Sequence, residues 1–399
     1  MTNRVEYLRS PTAIRERCNE LFELAQADQL PYFRVDLTQL DAVADYVIAV
    51  IREHYPDLDV PFHSRWRHFE VGNIPRVRQL EQAIESRSKI EQAKAKFDLV
   101  IPSVLLDAGA GDRWKYHEAT TQKTWARSEG LAIASFDAFC QGAFSKHPYQ
   151  ADATALKQIT PEQIGAFFQV GSENPLVGLE GRSALLQKLG QTIEQSPDLF
   201  GDVPRPGNLV NYLIAHADQG QLSAIVVLNA VLIGLGEIWS GRLSIEGVNL
   251  GDVWKHSSLS GDQLIPFHKL SQWLTYSLLE PLQDLGLKII DLDQMTGLPE
   301  YRNGGLCLDL GLLQLKDPKL TEIPHAADSE LIVEWRALTV CLLDRIAATI
   351  RNKLDLTPES LPLVKVLQGG TWTAGRKIAA VLRPSGTPPI QISSDGTVF

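Results

Sequence analysis

From Ser329 to Ile350, the residues Leu331, Ile332, Trp335, Leu338, Leu342, Ile346 and Ile350 recur at spacings of three and four, the period of an α-helix with one face in a core. A helix of this length must be sheathed on its apolar side by other elements, so the chain is expected to be built around helices. The same test predicts helices from about 12 to 27, 39 to 54, 76 to 96, 178 to 195, 207 to 218, 222 to 240 and 264 to 285. Thr160-Pro161-Glu162-Gln163 supplies a capping box with proline in the first turn, and Ser10-Pro11 and Thr357-Pro358-Glu359 repeat the cap-then-proline pattern. Strand candidates are few: Phe97–Ile101, then Val104–Leu106 beyond Pro102; Leu287–Ile290; and a C-terminal pair around Val381–Leu382 and Ile390–Ile392. Strands and helices do not alternate regularly, which argues against a doubly wound parallel sheet. The fold class read from the residues is mainly α with a few short strands.

The polar stretch Ser145–Ala155 divides the chain best, giving an N-terminal lobe 1–148 and a C-terminal lobe 149–399 that pack as one unit, with loops and a short hairpin after Arg383. The charge sum, 38 − 48 = −10, leaves no general basic field for a nucleic-acid polymer or an anionic membrane. Any anionic ligand must be met by locally gathered cations. Cys18, Cys140, Cys307 and Cys341 form no C-x-x-C pair, so four free and mostly buried thiols are expected rather than a disulfide framework or structural zinc. No secretory leader is read at the amino terminus, and the apolar run Leu222–Ile238 is broken by Asn229, Gly234, Gly236 and Glu237. A buried helix and a cytoplasmic protein are expected.

Three constellations bear on chemistry. Val104-Leu105-Leu106-Asp107-Ala108-Gly109-Ala110-Gly111 resembles the first motif of S-adenosylmethionine-dependent methyltransferases, although Arg113 stands where the third glycine belongs; an ordinary tight turn is the plainer reading. In His63-Ser64-Arg65-Trp66-Arg67-His68-Phe69, read as extended, Arg65 and Arg67 share one side and suit a phosphate or carboxylate, with surface ion pairs as the alternative. His63, His68 and His117 have no recognised zinc spacing, so no metal is expected. The third is the helix over 264–285, whose apolar face (Phe267, Leu270, Leu274, Leu278, Leu282) is opposed by Lys269, Gln272, Tyr276, Glu280 and Gln283, with Pro281 ending or kinking it. Beyond it, Gly297-Leu298-Pro299-Glu300-Tyr301-Arg302-Asn303-Gly304-Gly305 holds a charged pair between glycines, free to aim Glu300 and Arg302 into a cleft. The alternative is a capping turn in which both bond backbone.

Six separated segments carry a family resemblance over nearly the whole chain: Arg65–Phe69, Trp114–Glu118, Thr124–Gly130, Pro266–Leu274, Leu298–Gly305 and Ser394–Phe399 resemble the fungal and bacterial uracil-catabolism protein four family. That family is implicated in a route in which uracil becomes its nucleotide and the ring is then opened. More distantly, His268-Lys269-Leu270-Ser271-Gln272, Pro299-Glu300-Tyr301-Arg302 and Glu334-Trp335-Arg336 look like, in order, segments of the queuosine salvage N-glycosylases, whose helical fold is similar to helix-hairpin-helix DNA glycosylases.

The resemblance implies such a fold and places the catalytic carboxylate on Glu300 (Glu for Asp) and the active-site lysine on Lys269. It aligns Asp252 with a further acidic position and His268 with a tyrosine, and offers no match for base-holding residues. The implied activity is cleavage of a ribosyl C–N bond in a ribose-5-phosphate-linked pyrimidine or its ring-opened ureido product, without a cofactor. Positive charge building on the sugar suits a carboxylate that also orients water. Arg302, Arg65 and Arg67 are candidate phosphate contacts, Tyr301, Asp252 and His268 further substrate contacts, and Trp66, Trp254 or Trp273 a stacking surface. The expected partner is a small phosphorylated nucleoside, with no nucleic-acid polymer and no membrane; the sequence leaves the oligomeric state open. A methyltransferase and a non-enzymatic nucleotide-binding protein are the rival classes.

Overall fold

The computed structural model describes residues 2–107, 109–111, 113–239, 243–383 and 385–393. The architecture is mainly α, with strands confined to small two-stranded sheets. The backbone forms two compact units. The first comprises Met1–His63, Gly241–Gln272 and Asp291–Ser393; the second comprises Ser64–Ser240 and Trp273–Ile290. The lobe division drawn at 148/149 falls inside the second unit, in the loop between helices Arg127–Cys140 and Ala153–Gln158.

In the first unit the predicted long helix spans Glu330–Leu354, and its apolar positions are buried against helices Pro11–Gln26 and Leu40–His54. Ser10 caps the former helix by accepting from the Ala13 N–H, with Pro11 in the first turn, as its sequence predicts. Helix Tyr301–Asp309 packs against both Glu330–Leu354 and Trp372–Leu382. Both approaches depend on missing side chains. A Cβ on Gly375 would lie 2.1 Å from the Arg302 carbonyl oxygen, and one on Gly304 would lie 2.7 Å from Trp335 Nε1. Strands Val253–Lys255 and Leu264–Pro266 form a hairpin that delivers the chain to helix Lys269–Asp284, which continues through Pro281.

The second unit packs helix Lys89–Leu105 against Arg127–Cys140, and Leu179–Glu194 against Ala153–Gln158. Thr160 and Gln163 make the predicted capping box. The apolar run becomes the buried helix Ala224–Leu235, and among the described residues no helix is long and apolar enough to cross a membrane. Strand Lys288–Ile290 was legible; it pairs in parallel with Gln221–Ser223.

Several local expectations are corrected. Phe97–Ile101 and Val104–Leu105 are helical, within Lys89–Leu105, because Phe97 to Leu105 are buried on every side and the helical period disappears. The predicted helix 76–96 is two, Arg76–Ala83 and Lys89–Leu105, the second restarted by Ser88 as cap. Val381–Leu382 ends helix Trp372–Leu382, and strand Ile392–Ser393 pairs instead with His325–Ala326. Thr357 closes a turn with Ser360 rather than opening a helix. Residues 65–69 are a short helix, not an extended strand, so Arg65 and Arg67 do not share a face as pleated neighbours. The glycine-rich run at Gly109 follows a helix end, without the strand a methyltransferase motif requires. Ala108 and the Ser394–Phe399 motif lie outside the described residues.

Candidate functional site

Helix Lys269–Asp284 owes its start to Asp252. The Asp252 Oδ2 accepts the Lys269 backbone N–H at 2.9 Å, while Arg336 donates Nη1 to Oδ1 and Nη2 to Oδ2, each at 2.8 Å, and Trp254 Nε1 donates to Oδ1. Burial alone would raise this carboxyl's pKa; the Arg336 charge and the donated bonds overcome it and hold it far below the carboxylate range. Asp252 therefore positions Lys269 with its acceptor sites occupied, rather than reaching for a ligand. His268, at φ 46°, turns the chain into the helix. It is buried, its Nε2 lies 2.8 Å from the Leu8 carbonyl oxygen, and burial lowers its pKa, so it too serves the scaffold. Glu334 is fully buried and accepts the N–H groups of Tyr32 and Phe33 at 3.2 and 2.8 Å. The Glu334/Arg336 pair thus braces two different neighbours from one helix.

Glu300 is the N-cap of helix Tyr301–Asp309. Its Oε2 accepts the Arg302 N–H at 2.9 Å and its Oε1 the Asn303 N–H at 2.6 Å, the glutamate half of the capping turn that the sequence left as an alternative, while the Arg302 guanidinium lies against aromatic rings. The flanking glycines act by close approach: Gly297, Gly304 and Gly305 have no left-handed backbone, and Gly297 lies against Leu343. Burial raises the Glu300 pKa, opposed by the two backbone N–H groups and by the charges of Lys269 and Arg302. Lys269 and Glu300 are both half-buried, so this pair of opposite charges borders solvent. Arg302 is buried, with its guanidinium carbon 5.2 Å from the centre of the Tyr301 ring and 5.0 Å from that of Trp372.

Four residues outside the predicted set complete the cluster. Trp372 is half-buried, with His63 5.9 Å away ring to ring and the exposed Arg376 guanidinium at 5.9 Å. His63 is buried, its Nδ1 lies 2.9 Å from Gln368 Oε1, and burial together with the Lys269 charge pushes its pKa down to about 4. Gln368 comes from a π-helical turn, Leu367–Thr371, in which Gly369 and Gly370 pack on Val60 and Val47. The local mark is Gln368-Gly369-Gly370-Thr371-Trp372, a glycine pair two residues before an aromatic, and it points to neither His63 nor Arg376.

Arg65, Trp66 and Arg67 belong to the second unit. Trp66 is buried and its Nε1 donates to the Ser277 carbonyl at 2.7 Å. Arg67 Nη2 pairs with Glu280 Oε2 at 2.7 Å, and Arg65 Nη1 with Asp107 Oδ1 at 2.8 Å. Gln272 and Tyr276, predicted to sit on a polar face, are fully buried; Gln272 exchanges bonds with Thr296. Among the described residues no group of His, Cys, Asp and Glu side chains is arranged to hold a metal ion.

The family model described as "Protein of unknown function (DUF1688)" matches residues 7–399. "Protein urg3" of Schizosaccharomyces pombe is 42% identical over 410 residues, covering 100% of both chains. "Uracil catabolism protein 4" of Lachancea kluyveri is 39% identical over 440 residues, covering 100% of this chain and 99% of the relative. With a match over almost its entire length and full-length relatives near two-fifths identity, the chain belongs to the DUF1688 family.

Proposed function

We propose that the chain acts in uracil catabolism as an N-ribosyl hydrolase, releasing ribose 5-phosphate from a ribose-5-phosphate-linked pyrimidine or its ring-opened ureido product. A relative of full length carries uracil catabolism in its name. The observation that carries the chemistry is the pairing, at a solvent border, of a carboxylate that accepts two backbone N–H groups with the charges of Lys269 and Arg302.

In this reading the ionised Glu300 faces the sugar carbon as the C–N bond loosens and positive charge grows there. The attacking water forms its bond to C1′ and passes one proton to Glu300, while the electron pair of the broken bond stays on nitrogen and is protonated by Lys269. The raised pKa of Glu300 makes it a better proton acceptor than a solvated glutamate. Trp372 offers a stacking face to a planar base or ureido group, and Arg302 and Arg376 supply the local positive charge that an acidic chain must gather to hold a phosphate. The cytoplasm is the compartment this reading assumes.

Incubation with uridine monophosphate and its ring-opened derivatives, followed by assay of ribose 5-phosphate, tests the proposal. Release of the sugar phosphate is expected from one of them. Ligand-dependent thermal stabilisation with no product from any would replace the enzyme by a nucleotide-binding protein.

A further inference from the structure

Arg65 opens the short helix Arg65–Phe69 and has no exposed surface. Its Nη1 meets Asp107 and its Nε donates to Ser103 Oγ at 2.9 Å, but its Nη2 has no acceptor. Trp273 is 6% exposed, and its Nε1–H is likewise without an acceptor. The two side chains are neighbours, the guanidinium carbon lying 5.7 Å from the indole centre. His68 adjoins both, with its ring 5.7 Å from that of Trp273 and its Nδ1 3.2 Å from Arg65 Nη1. A buried donor without a partner costs about 1–3 kcal/mol, so two of them in one neighbourhood are a built demand for an oxygen acceptor.

Charge and hydrogen-bonding capacity select the acceptor. The positive charges of Arg65 and Arg182 are balanced by Asp107 and by Glu129, so an anion drawn to Nη2 would confront a carboxylate already bound to the same guanidinium. Asp107 and Ser128 are half-buried, and Ser128 Oγ donates to both carboxylate oxygens at 2.6 and 2.8 Å. A pair of N–H donors beside a carboxylate is the complement of an amide edge, which presents a carbonyl oxygen next to an N–H. We propose that the second unit holds a binding site for a neutral amide or ureide, its carbonyl oxygen accepting from Arg65 Nη2 and Trp273 Nε1 and its N–H donating to Asp107. This site does not depend on the role given to Glu300.

The test uses the full chain labelled with 15N-tryptophan, titrated with uracil, methylurea and inorganic phosphate while the indole N–H resonances are followed. The Trp273 resonance is the one missing in Trp273→Phe, and the Trp372 resonance, missing in Trp372→Phe, reports the Glu300 cluster separately. A saturable shift of the Trp273 resonance with uracil or methylurea, at least tenfold weaker in Arg65→Lys, is expected. The proposal is overturned if no resonance other than that of Trp372 moves, if phosphate alone moves the Trp273 signal, or if Arg65→Lys binds as the parent does. Should Trp273→Phe not fold, the wild-type titration together with Arg65→Lys decides between the same outcomes.

Discussion

Asp252 shows how a carboxylate can matter to a site without touching a ligand. Its four donors fix the first residue of the lysine-bearing helix and neutralise a buried arginine. Asp252→Asn leaves Arg336 buried with a neutral partner, and a loss of about 3–5 kcal/mol in denaturant unfolding is expected. A second buried carboxylate sets the acid limit. Glu118 receives Arg76 Nε and Nη2, each at 2.6 Å, together with Thr121 and Trp125. Burial would raise its pKa, but these partners carry it down to about 2. A carboxyl whose folded pKa is depressed stabilises the fold above its unfolded pKa, and that contribution disappears as pH falls through the folded value. Unfolding free energy is therefore expected to drop between pH 4.5 and about 2, and Glu118→Gln to flatten that dependence while lowering stability at pH 7 by about 3 kcal/mol.

At the scale of elements, the site rests on two close helix approaches made by glycine. Gly375→Ala would place a methyl group against the Arg302 carbonyl, so helices Tyr301–Asp309 and Trp372–Leu382 must separate. A loss of about 1–3 kcal/mol is expected, read as a lower thermal midpoint. Because Arg302 and Trp372 ride on these two helices, weaker substrate binding should accompany it. This scale also shows what the sequence made legible. The helix Glu330–Leu354 is buried on every side from Leu331 to Leu343 but was plain because its apolar period runs on through Leu342, Ile346 and Ile350 into a half where only one face is core, whereas in Lys89–Leu105 the burial on all sides from Phe97 lasts to the helix end and erases the period. Glu300 was identified for its charge between glycines, yet those glycines serve helix packing rather than loop freedom. His63, Gln368 and Trp372 come together only through tertiary packing around a π-helical turn, and no local pattern announces such a meeting.

At the scale of the molecule, the four cysteines are free thiols. Burial pushes Cys140, Cys307 and Cys341 up to about 12 and Cys18 well above its ordinary value. Little thiolate exists at neutral pH, so a thiol-disulfide reagent is expected to label the native chain slowly and all four residues promptly after denaturation. Rapid native labelling would contradict the burial. An acidic chain with a full-length relative named for uracil catabolism sets the charges of Lys269 and Arg302 on one carboxylate, and Arg302 and Arg376 beside one half-buried aromatic ring. The central claim is that this carboxylate takes part in breaking a ribosyl C–N bond. The rate of ribose 5-phosphate release by Glu300→Gln, compared with the parent on the same substrate and with folding checked by thermal midpoint, tests it most directly. A fall of about 10²-fold or more in kcat with the fold intact is predicted, and full turnover by the variant would contradict it.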